Sequence, residues 1–300
     1  MERYVKKQGW INLIIIDGKL TSNKIREQIK EKHEKLLLEI GRKAGLAVIL
    51  VGENAASKIY VKNKAKACEK VGFHSEIHIL DENINEIKLL DLIKKLNNDE
   101  KIDGILVQLP LPKHINELKV INAVSPAKDV DAFHPLNVGK YVIGDESGFL
   151  PCTPYGIIQL LDEYNIDVEG KDTVVVGRSN IVGKPISLLM TQKNATVQIC
   201  HTKTKKMFEK IEKADIIISA VGIPNLIKAE HVKEGAVVID VGISRVDGKV
   251  CGDIEFEGVS KKASYITPVP GGVGPMTITS LLGNTLKSFE NKRKEVGNEG

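Results

Sequence analysis

Thr173-Val-Val-Val-Gly177-Arg178-Ser179-Asn-Ile181-Val182-Gly183-Lys-Pro185 is the stretch on which the fold turns. Thr173–Val176 reads as a buried strand, Gly177 as a tight turn, and the residues beyond it as a helix start. Pro185 suits a first helical turn, where a missing N–H costs nothing. Free N–H groups and the helix dipole at such a start would hold a phosphate. The spacing is a variant of GxGxxG, with Ser179 at the middle glycine and Gly183 arriving late. Alone that pattern is common. Following a strand and opening a βαβ unit, it has the context a dinucleotide site requires.

Outward from this stretch, strand-like runs alternate with helical ones. The strands are Ala47–Val51, Glu76–Leu80, Gly104–Gln108, Thr173–Val176, Thr196–Cys200, Ile216–Ala220 and Ala236–Val241. Repeated βα order with apolar strands implies parallel sheets covered by helices on both faces. Six prolines between Pro110 and Pro154 break the order, as does Thr267-Pro-Val-Pro270-Gly271-Gly272-Val-Gly274-Pro-Met276 before a last helix. The chain has 300 residues, enough for about two domains. The expected class is α/β with two domains. Residues 1–153 form an N-terminal parallel-sheet catalytic domain and 154–276 a Rossmann-like dinucleotide domain. The helix 277–300 packs back on the first.

Composition narrows the partners. Hydrophobic content of 42% and charged content of 27% are ordinary for a globular chain. A net charge of +4 with interleaved signs, and 4% aromatics, argue for acidic small molecules rather than nucleic acid. No apolar run is long enough to span a bilayer, so no membrane partner is expected. Met1–Trp10 is short and basic, lacks the features of a signal peptide, and reads as an extension. Cys68, Cys152, Cys200 and Cys251 are dispersed without CxxC or zinc spacing, which fits a reducing cytoplasm and no metal.

The strand after the glycine turn ends in Cys200-His201-Thr202-Lys203-Thr204, without the acid that NAD sites carry for the ribose. Hydroxyls and cations there, with Arg178, favour NADP. Small residues also follow the next two strands, at Ala220-Val221-Gly222 and at Gly242-Ile243. They would let a cofactor approach the backbone, although structural turns look the same.

Ser57, Tyr60 and Lys64 share one helix face at i, i+3 and i+7, at the carboxyl edge of the strand Leu46–Val51. Lys58, Lys62, Lys64 and Lys66 make a solvated basic face the simpler reading of spacing alone. Tyr60 and Lys64 also form the YxxxK pair of short-chain dehydrogenases. Those enzymes place the glycine turn upstream, whereas here Gly177 lies far downstream. The residues alone leave open another Rossmann-type dehydrogenase or a silent dinucleotide-binding protein.

Several motifs in order resemble the bifunctional methylenetetrahydrofolate dehydrogenase/methenyltetrahydrofolate cyclohydrolases. They are Gly52…Ser57-x-x-Tyr60-x-x-x-Lys64, Gly104-Ile-Leu-Val-Gln108-Leu-Pro-Leu-Pro112, Lys128-Asp-Val-Asp131, Pro151-Cys-Thr-Pro154, Gly177–Pro185 and Pro268–Thr277. The match runs from about Asp17 to the last helix. One departure is Ala132, where the family generally has glycine. The resemblance implies a cleft holding a tetrahydrofolate substrate beside NADP, in a cytoplasmic homodimer. It implies Lys64 as the proton-transfer group, Gln108 holding its amine, Tyr60 against the folate and Asp131 on the pterin. Ser57, Pro270, Gly271 and Gly272 would complete the substrate side. Gly177, Arg178, Ser179, Ile181, Val182, Gly183, His201, Thr202, Ala220, Val221, Gly222, Gly242, Ile243, Gly274 and Thr277 would face the cofactor. Asp129 would fix its own loop, and Ser57 would support Lys64 or cap its helix.

Overall fold

Each of the seven expected strands forms, and the computed structural model, which describes residues 5–8 and 11–297, adds five more. Strands β1 (Val5–Gln8) and β2 (Ile11–Ile15) precede helix α1 (Gly18–Ile40). Then come β3 (Gly45–Val51), α2 (Ala55–Lys70), β4 (His74–Leu80), α3 (Glu86–Asn98) and β5 (Gly104–Val107). Helices α4 (Glu117–Ala123), α5 (Pro135–Val142) and α6 (Cys152–Glu163) occupy the proline-punctuated region. Next are β6 (Asp172–Val176), α7 (Gly183–Gln192), β7 (Thr196–Cys200), α8 (Met207–Ile211), β8 (Ile216–Ser219) and β9 (Val237–Asp240). A hairpin of β10 (Ser244–Val246) and β11 (Lys249–Cys251), then α9 (Phe256–Val259), β12 (Tyr265–Ile266) and α10 (Val273–Gly297), complete the chain.

Two units result. One contains Thr153–Thr277 together with the residues up to Asn23, and the other Lys24–Cys152 with the chain from Ile278. The first is built on a seven-stranded sheet in the order β1-β2-β12-β9-β8-β6-β7, parallel except for the β1–β2 pair. The second has a parallel three-stranded sheet, β4-β3-β5.

The expected boundary is corrected at the amino end, because the residues before Lys24 belong to the seven-stranded unit. Ile14 and Ile15 of β2 pair with Tyr265 and Ile266 of β12, and Leu13 is buried with Val238 and Ile266. The partner strand is only two residues long, so no periodic signal marks it. The expected extension Met1–Trp10 lies outside the described residues except for β1.

All seven residues of β3 are buried, which explains its unbroken apolar run. Leu46, Val48 and Leu50 pack with Cys68 of α2 and with Leu281, Leu282 and Phe289 of α10. Ala47, Ile49 and Val51 face Leu89, Ile93 and Leu96 of α3. Burying each large side chain stabilises the unit by roughly 1.5–3 kcal/mol. Asp103, fully buried just before β5, accepts both Arg42 guanidinium nitrogens at 2.8 Å and Gly45 N–H at 2.8 Å. It also pairs with Lys292 of α10 at 3.0 Å. Among the described residues, no helix is long and apolar enough to cross a membrane.

Candidate functional site

Helix α2 starts where Asn54 accepts the Ser57 N–H at 3.1 Å, and it carries Ser57, Tyr60 and Lys64 on successive turns. The three do not meet one environment. Ser57 Oγ lies 3.4 Å from Asn54 Oδ1, so its hydroxyl serves the cap. Tyr60 is 40% exposed, whereas Lys64 is 8% exposed. The Lys64 amine donates to Gln108 Oε1 at 2.9 Å. Gln108 N–H extends the β5 ladder by donating to Ile49 O, and its side-chain Nε2 donates to Leu109 O at 2.9 Å. With Nε2 so occupied, the amide oxygen is the atom offered to lysine.

Burial lowers the Lys64 pKa by penalising the charged amine, and the negative charge of Asp131 works against that shift. Burial likewise raises the Asp131 pKa, with Lys64 and a hydrogen bond to Cys152 opposing it. The site thus pairs a reluctant base with a reluctant acid beside a neutral amide. Perturbed groups of this kind, shifted by burial and by a specific charge partner, are what proton-transfer sites require.

The Asp131 loop is anchored from three directions. The Asp129 carboxylate accepts Phe133 N–H at 3.2 Å, His134 N–H at 2.8 Å and Asn137 Nδ2 at 2.9 Å. Burial pushes Asp129 up to about 6. The Lys128 amine donates to Leu96 O and Asp99 O, and burial brings it down to about 8. From α10, Asn284 Nδ2 donates to Val130 O and Leu150 O, each at 2.8 Å. Cys152 Sγ, at the start of α6, also donates to Val130 O, and burial pushes its thiol well above the ordinary range. Cys152 and Asn284 escaped the sequence reading because they reach the loop from distant segments. Ala132 sits in the left-handed region at φ 61°, where a methyl costs roughly 1–2 kcal/mol.

In the seven-stranded unit, the expected cofactor residues from Gly177 to Ile243 follow the carboxyl ends of adjacent parallel strands β6, β7, β8 and β9, while Gly274 and Thr277 lie in the first turns of α10. Gly177 has φ 124°, and a Cβ there would stand 2.6 Å from Ala220 O. A Cβ on Gly183 would meet Gly177 O at 2.4 Å, so both glycines let strand end and helix start touch. One expectation needs correcting. The N–H groups of Val182 and Gly183 are not free for phosphate, because Ser179 Oγ accepts them at 3.1 and 3.2 Å. A hydroxyl just ahead of a helix, here four residues before Gly183, can take up the N–H groups at its start, and it could have been read from the sequence.

Arg178 and Ile181 are exposed beside this turn. After β7, His201 N–H donates to Thr204 Oγ1 at 2.9 Å, and Lys203 N–H to His201 Nδ1 at 3.1 Å. His201 and Thr202 line an open cavity of about 420 Å³ with Thr204, Lys206 and Phe208. The described residues 201–206 that follow β7 carry no acid, although Glu209 lines the same cavity.

After β8 and β9, the Ala220-Val221-Gly222 and Gly242-Ile243 segments hang on two buried carboxylates, Asp253 and Asp240. Burial pushes Asp240 up to about 6. In the Pro270–Gly274 loop, Gly271 O accepts Lys19 N–H at 3.0 Å, and a Cβ on Gly272 would stand 2.6 Å from Pro268 O. Backbone packing against the start of α1 therefore accounts for part of its glycine content. Thr277 shares a hydrogen bond with Thr153 between their hydroxyls at 2.9 Å.

A mostly parallel sheet with a glycine turn at its carboxyl edge, and a separate unit with a desolvated lysine, define a two-unit α/β dehydrogenase class. Comparison narrows the class. Residues 16–131 match the catalytic-domain model of tetrahydrofolate dehydrogenase/cyclohydrolase, and residues 151–293 match its NAD(P)-binding-domain model. The chain belongs to the tetrahydrofolate dehydrogenase/cyclohydrolase family. The bifunctional protein FolD of Aquifex aeolicus is 58% identical over 93% of this chain and 96% of its own. The crystal structure of the Campylobacter jejuni FolD methylenetetrahydrofolate dehydrogenase/cyclohydrolase has 54% identity and a TM-score of 0.91, over 93% of this chain and 99% of that one. A Trypanosoma brucei FolD, complexed with NADP cofactor and inhibitor, has 36% identity and a TM-score of 0.90, over 94% and 98%.

Proposed function

We propose that this chain oxidises 5,10-methylenetetrahydrofolate with NADP to 5,10-methenyltetrahydrofolate, then hydrolyses that cation to 10-formyltetrahydrofolate, within one-carbon metabolism. The observation that carries the reading is the buried Lys64 amine, held by the neutral Gln108 oxygen in a family member. Folate would bind on the three-stranded unit, with Tyr60 against its ring system, Asp131 on the pterin edge, and Ser57 as the cap of the helix that aims Lys64. The dinucleotide would bind along the β6–β9 ends of the other unit, from Gly177 through Ile243. Gly274, Thr277 and the Pro270–Gly272 loop complete the proposed ligand contacts.

NADP supplies one piece of chemistry when bound: it accepts a hydride from the one-carbon bridge. The chain's residues contribute position and proton transfer. In the hydrolytic step, neutral Lys64 takes a proton from the water that attacks the methenyl carbon. As the carbon–N5 bond breaks, the hydroxyl proton of the adduct is lost and N5 gains one. The net products are the formyl compound and one proton. Desolvation keeps a fraction of Lys64 neutral, and Gln108 fixes the amine without adding charge to hold it protonated.

We further propose a cytoplasmic homodimer acting on small molecules. The four cysteines are free, as a reducing compartment would keep them. Edge strand β4 exposes Ile77 (41%) and Ile79 (57%), the apolar edge that a second copy would cover. The deciding experiment supplies 5,10-methylenetetrahydrofolate with NADP or NAD in parallel. NADPH should form first and 10-formyltetrahydrofolate after it; no turnover with either dinucleotide would refute the reading.

A further inference from the structure

The buried Asp253 carboxylate lies outside every residue set assigned above, yet all its side-chain acceptors are aimed at one loop. Asp253 Oδ2 accepts Ser219 Oγ–H and Val221 N–H, each at 2.8 Å, and Oδ1 accepts Ile223 N–H at 2.9 Å. Asp253 is itself held by its neighbour, since its N–H donates to Asp240 Oδ1 at 3.0 Å. The same Asp240 oxygen accepts Gly242 N–H at 3.0 Å, and Asp240 Oδ2 accepts Ile254 N–H at 3.0 Å. Two carboxylates thus receive six donors and stitch the β8 end to the β9 end.

The backbone leaves room for this pair and nothing else. A Cβ on Gly242 would stand 2.0 Å from Asp253 Oδ1, and one on Gly252 would stand 1.9 Å from Asp240 Oδ2. Gly242 is therefore small for the sake of Asp253. Bringing a carboxylate into the core beside another is costly, and apolar packing would serve stability as well. What an apolar residue could not do is fix donors from the last residue of β8 and from two alternate residues of the loop after it in one orientation.

We propose that Asp253 is a positioning residue for dinucleotide binding, holding the Ala220–Ile223 loop in its receptive conformation through Val221, Ile223 and Ser219. The proposal rests on the reading that this loop and Gly242-Ile243 face the cofactor. Its reach is confined to the seven-stranded unit, so the hydrolytic step at Lys64, which uses no dinucleotide, serves as an internal control.

The test compares Asp253→Asn with Ile243→Glu, an exposed substitution on the adjoining loop, by NADP KM and kcat and by hydrolysis of supplied methenyl substrate. Asp253→Asn keeps one acceptor oxygen of two. It should raise the NADP KM about tenfold, as expected for losing hydrogen bonds to a charged group, with kcat at saturating NADP and the hydrolysis rate little changed. A raised KM in Ile243→Glu with an unchanged KM in Asp253→Asn would overturn the positioning role alone. An unchanged KM in Ile243→Glu would overturn the cofactor placement and the proposal with it. Parallel loss of both activities in Asp253→Asn would mark a purely structural residue and also overturn it. Should Asp253→Asn give no soluble protein, Ser219→Ala removes one donor only, and an NADP KM within about twofold of the unaltered protein would refute the role.

Discussion

Replacing Gln108 with glutamate changes one atom's identity and one charge at the most sensitive point of the site. The Lys64 amine lies 2.9 Å from Gln108 Oε1. A unit negative charge at that distance, with an effective dielectric of about 20, favours the protonated amine by about 6 kcal/mol, or roughly 4 pK units. The new carboxylate must itself be desolvated, and its second oxygen would face Leu109 O, which now accepts the Gln108 amide. Even if these effects cancel about three quarters of the attraction, about one unit remains. Burial lowers the Lys64 pKa in the native site, so the substitution acts in the opposite direction. At a pH below that pKa, each unit of upward shift removes about tenfold of the neutral amine. Gln108→Glu should therefore slow methenyl hydrolysis at neutral pH by about tenfold or more, with the rise of the pH–rate profile displaced to higher pH. The assay is hydrolysis of supplied methenyltetrahydrofolate across neutral and mildly alkaline pH. A slower enzyme whose profile keeps its position would refute the role assigned to the neutral amide.

Two further outcomes are expected. Lys64→Met removes the proposed base and should cost the hydrolytic step about 10²–10⁴-fold; the methenyl product should then accumulate from the methylene substrate, and undiminished hydrolysis would remove Lys64 from the mechanism. Ala132→Gly relieves about 1–2 kcal/mol of left-handed strain but loses a buried methyl worth about 0.8 kcal/mol and about 0.4–1 kcal/mol of unfolded-chain entropy. Denaturant unfolding should show a change within about 1 kcal/mol either way, and a larger shift would mean the loop conformation itself had moved.

What could be read from the sequence followed the range of the signal. Strands β3, β6, β8 and β9 were legible as apolar runs buried along nearly their whole length, whereas β4 and β7 are half-exposed and mix polar with apolar residues. Strands β10, β11 and β12 are three, three and two residues long, too short to carry a period. The position of Lys64 on its helix and the polar break at Gln108 were local facts, but helix spacing alone favoured a solvated basic face, and their expected roles came from the family resemblance. Asn284 and Asp253 were not legible, because their partners lie far along the chain and neither motif repeats nearby. Ser57 stands between: its place on α2 was readable, but Asn54 claims the hydroxyl that spacing alone aimed toward Lys64.

Small residues at strand ends carried two meanings in the sequence, and the structure separates them by what a methyl group would strike. Gly183, Gly242 and Gly272 are each opposed by protein atoms within 2.6 Å of a hypothetical Cβ. Gly274 is different, since a Cβ there would meet nothing within 4 Å. Its φ does not lie in the left-handed region. It precedes Pro275 in the first turn of α10, where side chains are disfavoured, yet Lys184 occupies the matching place before Pro185 in α7. The protein's own packing therefore does not require glycine at 274. Gly274→Ala should leave unfolding stability within about 1 kcal/mol of the unaltered protein, the size of the helix-propensity difference. If the position is kept small for a ligand passing over the α10 start, the same methyl should raise the KM for NADP or the folate substrate about tenfold or more, the cost of about 1.4 kcal/mol of contact. Both KM values unchanged would show that no ligand comes within contact of Gly274, and would leave the start of α10 outside the site.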